Sequence, residues 1–303
     1  MDRILFSAPF VTGLESGYVA QAMATDHWQG DGPFTKRASA LLEQLTGAPR
    51  VLLTTSCTHA LELASMLVGL EPGDEVICPT YTFSSGATAI TIRGAVPVFV
   101  DCDPETMNID VAKAEAAITP KTKAISVVHY GGVAANLDGL VALSAAHNLP
   151  LIEDTAHGLG ARYRGQHLGT FGDLAALSFH DTKNFAMGEG GALIINDVDK
   201  YAQRAEIIRE KGTNRARYWR GEIDKYTWID QGSSYLPSDI LAAVLTAQLE
   251  RFDVIQGLRQ RVWQRYNTEL ADWAAAQGVE WMQVPPDCEQ PAHQRQPNGR
   301  RDA

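Results

Sequence analysis

The sequence predicts an α/β protein built on one largely parallel sheet with helices on both faces. Three observations carry this. Short apolar runs rich in β-branched residues recur through the first two thirds of the chain, and helical patterns separate most of them. The 303 residues are 45% hydrophobic and 20% charged, enough to bury one large core or two moderate ones. Runs apolar at every position, rather than at alternate ones, are the pattern of strands covered on both sides.

The first such run is 51–54, which opens into a helical pattern over 58–70. Runs at 75–78 and 96–100 follow, then a helical pattern at 110–118, a run at 124–128, a helical pattern at 137–147, and runs at 151–153, 174–179 and 192–195. This alternation predicts a seven-stranded, mostly parallel sheet flanked by helices. Its functional crevice is expected at the carboxyl ends of the strands. Residues 201–211 read as a helix, and Ser238 with Asp239 caps a long one running through Leu241, Val244 and Leu249 toward Ala275. The expected organisation is therefore a large domain over 1–237 and a segment over 238–284 that begins a smaller domain. Residues 285–303 contain four prolines, three arginines and no Leu, Ile, Val, Phe, Tyr or Trp, and are expected to stay disordered.

A formal net charge of −10 provides no basic footprint for nucleic acid. No stretch approaches the roughly 20 apolar residues of a membrane helix, and Met1-Asp2-Arg3 opens no secretory signal, so a cytoplasmic protein without membrane insertion is expected. Cys57, Cys78, Cys102 and Cys288 form no CxxC pair, and the eight histidines show no HxxxH or HExxH spacing, so no metal site is expected.

Four elements at strand ends could carry chemistry. Asp154 ends the run 151–153 and is followed by small residues. It is either a loop cap or an anion held in a low-dielectric crevice to stabilise a cationic ring nitrogen. Lys183 follows the run 174–179, with Ser178 and His180 before it and the glycines 188, 190 and 191 after it. This is the setting of a constrained, partly desolvated amine of the kind that forms Schiff bases, whereas a lone lysine is usually solvated. Ser56, Cys57 and Thr58 open a helix directly after a strand, which makes either an anion site or a plain cap. Phe83, after Pro79, Thr80, Tyr81 and Thr82, offers an aromatic face for a planar ligand or for the core. Together the four describe one ligand, pyridoxal 5'-phosphate: a phosphate at Ser56 to Thr58 and Ser178, a ring under Phe83, a ring nitrogen facing Asp154 and an aldehyde captured by Lys183.

On these residues the chain resembles the DegT/DnrJ/EryC1/StrS sugar aminotransferases, pyridoxal-phosphate enzymes of fold type I. The resemblance runs from about residue 6 to about residue 293. It is most specific at Cys57-Thr58, 79–83, Val100-Asp101, 107–110, Glu153-Asp154, 178–180, 182–184 and 208–215. The last of these, with 224–228 and 232–236, narrows it to a subgroup acting on dTDP-linked keto sugars. The resemblance implies that Lys183 and Asp154 are catalytic and that Cys57, Thr58, Phe83, Asp154, His157, Ser178, Lys183 and Ser234 bind the cofactor. Within that set His157 would sit beside the phenolic oxygen. Most of the family has glycine at the position of Cys57, and Ser234 matches an asparagine that reaches the phosphate from a neighbouring subunit, which implies a homodimer. Relatives that dehydrate sugars carry histidine at the lysine position, so Lys183 implies transamination. L-Glutamate would donate the amino group to C4 of dTDP-4-dehydro-6-deoxy-D-glucose. In the family the helix from Ser238 leads into a small carboxy-terminal domain. Here the pattern is lost after His293, so an early truncation or shifted frame is expected, with that domain largely missing. A remnant that binds cofactor or dimerises without turnover is the alternative.

Overall fold

The computed structural model describes residues 7–294 and 297. Helices α1 (Glu15–Met23) and α2 (Pro33–Thr46) precede strand β1 (Arg50–Thr54). Next come α3 (Cys57–Leu67), β2 (Glu75–Pro79), α4 (Ser84–Thr91), β3 (Val96–Val100), α5 (Val111–Ala116), β4 (Thr122–Val128), α6 (Leu137–His147) and β5 (Leu151–Asp154). The chain continues through the short β6 (Arg162–Tyr163) and β7 (Gln166–His167) to β8 (Leu174–Ser178), β9 (Gly191–Ile195), α7 (Val198–Arg209) and α8 (Arg215–Trp219). It ends with α9 (Asp239–Leu249), α10 (Phe252–Glu269), α11 (Ala271–Ala276) and β10 (Cys288–Glu289).

All seven expected strands lie in one sheet of order β3-β2-β4-β5-β8-β9-β1. Five neighbours from β3 to β8 run parallel, and β9 is antiparallel to both β8 and β1. Six strands therefore end at one edge, and β9 starts there. Both faces are covered, as the unbroken apolar runs require. Leu52, Ile152, Ala176 and Leu193 pack toward α3 and α7. Val51, Leu53, Leu177 and Ile194 pack toward α2 and α9.

The helix expected from Ser238 to Ala275 is three helices. Ser238 does cap α9, its Oγ accepting the Leu241 amide. α9 is buried against the main core through Ala242, Ala243, Leu245 and Leu249. Asp239 turns instead to the start of α2, accepting the amides of Phe34 and Thr35 and the Thr35 hydroxyl at 3.2, 2.7 and 2.8 Å. Gly32 makes room for this: a Cβ there would meet the Asp239 carboxylate at 2.5 Å. After Glu250, which accepts the Tyr18 hydroxyl and pairs with Arg37, α10 starts afresh and buries little besides Ile255. Val262 and Tyr266 are exposed and Trp263 is half-buried.

The disorder expected from Pro285 does not extend through 285–294. Cys288 and Glu289 pair with Tyr163 and Arg162, and Pro291 and Ala292 are buried. Strand pairing and side-chain hydrogen bonds order this segment without an apolar run, which is why composition misses it. Of the later residues only Pro297 lies within the described set.

Behind the sheet edge, Glu153 is fully buried and accepts four hydrogen bonds: from His129 Nε2 at 2.8 Å, and from the amides of Gly169, Phe171 and Gly172 at 2.9, 2.8 and 2.7 Å. Burial alone would raise its pKa, but His129 and these amides overcome it and hold the carboxyl below its ordinary value. Glu153→Ala strands four donors and is expected to cost about 3–5 kcal/mol in urea unfolding. A depressed carboxyl stabilises above its unfolded pKa and loses that contribution as pH falls through the folded value. The difference between wild type and variant should therefore shrink on acidification below pH ~4.5. A loss under about 1 kcal/mol at neutral pH would show that water replaces the carboxylate.

Candidate active site

The site lies where β1, β5 and β8 end and β9 begins. β1 delivers Ser56, whose Oγ accepts the His59 amide at 3.0 Å and caps α3. The amides of Cys57 and Thr58 in the first turn then face outward at the positive end of the helix dipole. Thr58 Oγ1 meets Ser85 Oγ at 2.7 Å, tying α3 to the start of α4. Gly191 lies so close to this turn that a Cβ would come within 2.4 Å of the Cys57 amide nitrogen, so no side chain fits there. Ser178, half-buried, pairs with Gly191 at the end of β8.

Asp154 closes β5 and is buried. Its Oδ1 accepts the Ala156 amide at 3.0 Å and lies 4.0 Å from Cys57 Sγ. Lys183 stands on the turn after β8, its amide donating to the His180 carbonyl at 2.9 Å, and its side chain is half-buried. Burial lowers the Lys183 pKa, opposed by Cys57 and Asp154. Burial raises that of Asp154, opposed by the Ala156 amide and then by Lys183 and His129. The thiol of Cys57 is pushed well up, by burial first and then by Asp154. Both ionisable partners are thus biased toward their neutral forms, a bias that a cationic group beside them would reverse for the Asp154 carboxylate and deepen for the Lys183 amine.

His157 follows on the β5 loop. Its Nδ1 accepts the Gly131 amide at 3.2 Å, and its ring meets Tyr130 edge-on at 5.2 Å. Burial, then Lys183, lowers its pKa to about 3. A neutral imidazole whose Nδ1 accepts must carry its proton on Nε2, which makes His157 Nε2 a donor. Phe83 stands at the N-cap of α4 and is 68% exposed, so its ring is open to a planar ligand rather than in the core. Beside it Tyr81 packs on Tyr130 at 4.4 Å.

The structure therefore brings together Cys57, Asp154, His157 and Lys183, with Thr58 and Ser178 at the same sheet edge. Ser234 lies elsewhere in the chain. It is exposed and lines a separate cavity of about 940 Å³ with Asp31, Arg209, Lys211 and Arg215. Four neighbours of the site were not singled out from the sequence. Ser85 falls two residues past Phe83, and His129 directly follows a strand at the expected edge, a position that could have flagged it. Asn184 and His293 pair with each other at 2.9 Å across a separation of 109 residues, which no local pattern reveals.

A buried carboxylate, a partly desolvated amine and a helix N-terminus in one enclosure supply an anion, a nucleophile and amide donors. These are the complements of a ring nitrogen, an aldehyde and a phosphate, so the residues present fit pyridoxal phosphate. Fold and site together define a pyridoxal-phosphate-dependent transferase of fold type I. The chain belongs to the DegT/DnrJ/EryC1/StrS aminotransferase family, whose model matches residues 12–295. It is 38% identical over 272 residues to GDP-perosamine synthase of Caulobacter vibrioides, covering 89% of this chain and 71% of that protein. The PLP form of Spr1654 from Streptococcus pneumoniae superposes with a TM-score of 0.86 at 28% identity, over 96% of this chain and 76% of that one. DesI, solved in the presence of its TDP-sugar product, gives a TM-score of 0.83 at 27% identity, over 95% and 69%. The protein is thus a PLP-dependent sugar aminotransferase. Among the described residues no helix is long and apolar enough to cross a membrane.

Proposed function

We propose that this chain moves the amino group of L-glutamate to C4 of dTDP-4-dehydro-6-deoxy-D-glucose, giving dTDP-4-amino-4,6-dideoxy-D-galactose. The observation that carries the transaminase reading is the enclosure of the half-buried Lys183 amine with Asp154 and the first turn of α3. Bound pyridoxal phosphate supplies an electron sink that lets an amino group and a proton exchange between two carbons. Asp154 would pair with the ring nitrogen and keep it protonated. Lys183, whose burial favours the free amine, would hold the cofactor's aldehyde end and serve as the base and acid that takes a proton from one carbon and returns it to the other. Cys57 and Thr58 hold the phosphate through their amides, with Ser178 beside them. Phe83 would cover the ring, and the Nε2 proton of His157 would meet the phenolic oxygen. The exposed Ser234 serves the site of a second copy in a homodimer.

The run 208–215 with its continuations supports a dTDP sugar. The likeness to GDP-perosamine synthase makes a GDP-linked sugar the second reading. Purified protein with L-glutamate and equal amounts of dTDP-, GDP- and UDP-linked 4-dehydro sugars should yield aminated dTDP product first, by mass spectrometry. Faster amination of the GDP sugar would move the assignment to the second reading. A yellow protein that aminates none of them would be the non-catalytic alternative.

A further inference from the structure

The segment from Asp287 to His293 crosses the outside of the site as a strap. Cys288 and Glu289 pair with β6, and Gln260 of α10 donates to the Gln290 carbonyl at 2.7 Å. The Pro291 ring lies where a Cβ on Gly132 would be, 2.3 Å from it. Arg259 donates to the His293 carbonyl at 3.3 Å. Three contacts then reach the site itself. Asn184, next to Lys183, donates from Nδ2 to the Pro291 carbonyl at 2.7 Å and faces His293 Nδ1 with Oδ1 at 2.9 Å. The His293 ring stacks on His157, centroids 4.2 Å apart and planes 22° from parallel.

These contacts fix the protons. With Nδ2 of Asn184 committed to a carbonyl, its Oδ1 can only accept, so His293 Nδ1 must carry a hydrogen. A flipped amide would set oxygen against the Pro291 carbonyl. The two stacked rings therefore hold opposite tautomers: His157 protonated at Nε2, His293 at Nδ1.

Resting on the transaminase reading above, we propose that His293 is a positioning residue for the reaction: through Asn184 it sets the turn that carries Lys183, and through its ring it fixes the plane and the proton of His157. The groups facing this pair are Lys183 from the β8–β9 turn, Tyr130 from the loop after β4 and Arg259 from α10. Burial opposes a second proton on His293 most, followed by His157, Lys183 and Arg259, and together they hold its pKa at about 2. The stacked ring excludes water from His157, so its removal should let His157 take a proton at higher pH.

Two variants separate the contacts. His293→Phe keeps the stack and loses the hydrogen bond to Asn184, whereas His293→Ala loses both. In wild type and His293→Phe, NMR titration of His157 without added cofactor should show no protonation above pH ~4, and in His293→Ala the midpoint should rise by at least about one pH unit. Loaded with pyridoxal phosphate, both variants should still form a visible band trapped by borohydride on Lys183, with kcat lowered roughly tenfold to a hundredfold and KM little changed. A wild-type His157 midpoint in His293→Ala, or wild-type kcat in both variants, would overturn the proposal. Absence of any trapped band in the wild type would instead overturn the transaminase reading. Should His293→Ala not fold, kcat and the trapped band of His293→Phe still decide whether the Asn184 contact positions Lys183.

Discussion

Lys183→Ala is expected to lose the visible absorption of the pyridoxal-phosphate-loaded protein and all measurable amino transfer. The reason is geometric. The reacting amine must sit among Asp154, Cys57 and His157, and Lys183 is the lysine whose charge acts on all three. The two lysines nearest downstream in sequence are committed elsewhere. Lys200, on α7, lies over the Tyr201 ring and faces Asp173, and Lys211, in the turn after α7, pairs with Glu210 at 3.0 Å. Neither can reach the end of β5 without dismantling its element. The substitution removes a half-buried amine whose ionised form burial penalises, so the cofactor-free variant should unfold at the same urea concentration as wild type or a higher one. Activity and stability thus part company, which excludes misfolding as the cause of the loss. Borohydride trapping followed by peptide mapping checks it. An adduct on another lysine, with turnover retained, would remove Lys183 from the centre of the chemistry.

The strands were legible because burial on both faces leaves an unbroken apolar run, and the positions of Asp154 and Lys183 were legible because strand ends locate the crevice. Direction was not. Nothing in 192–195 distinguishes an antiparallel strand from its parallel neighbours, since side-chain alternation is the same in both. Asp239 reads as a cap of its own helix, yet its carboxylate caps α2, because the choice between two helix starts is made by packing around Gly32. Cys288 and Glu289 form a strand with no apolar run at all. The partnerships of Glu153, Asn184 and His293 join residues 16 to 109 positions apart, and much of what they bond is backbone, amides for Glu153 and the Pro291 carbonyl for Asn184, which carries no residue-specific signal. Ser234 shows the converse limit: its match to the family motif is visible in sequence, but its place in this chain is on another cavity, away from Lys183 and Asp154.

Asp154→Asn should raise the stability of the cofactor-free protein and slow amino transfer by about three orders of magnitude, equivalent to ~4 kcal/mol of transition-state stabilisation. Both effects come from one fact: burial raises the Asp154 pKa, with a single backbone amide, from Ala156, as the main compensation. A carboxyl whose folded pKa lies above its unfolded value stabilises below the unfolded value and loses that contribution as pH rises through the folded one. At neutral pH the ionised carboxylate is therefore a burden that a neutral amide of the same shape relieves. The loaded enzyme reverses the sign. A protonated ring nitrogen facing the carboxylate would give it the cationic partner that burial otherwise denies, and the pair would strengthen in the same low dielectric that penalised the lone anion. An asparagine cannot hold that proton in place, and its amide hydrogens favour an unprotonated ring that withdraws electrons poorly. The variant should still bind the cofactor through Lys183 and the first turn of α3, so the visible band persists, with its pH midpoint displaced. Urea unfolding at pH 7 without cofactor, and single-turnover rates with L-glutamate, read the two halves separately. Wild-type rates in Asp154→Asn would reduce Asp154 to a cap on Ala156, and a loss of cofactor-free stability would show that its charge is already compensated before any ligand arrives.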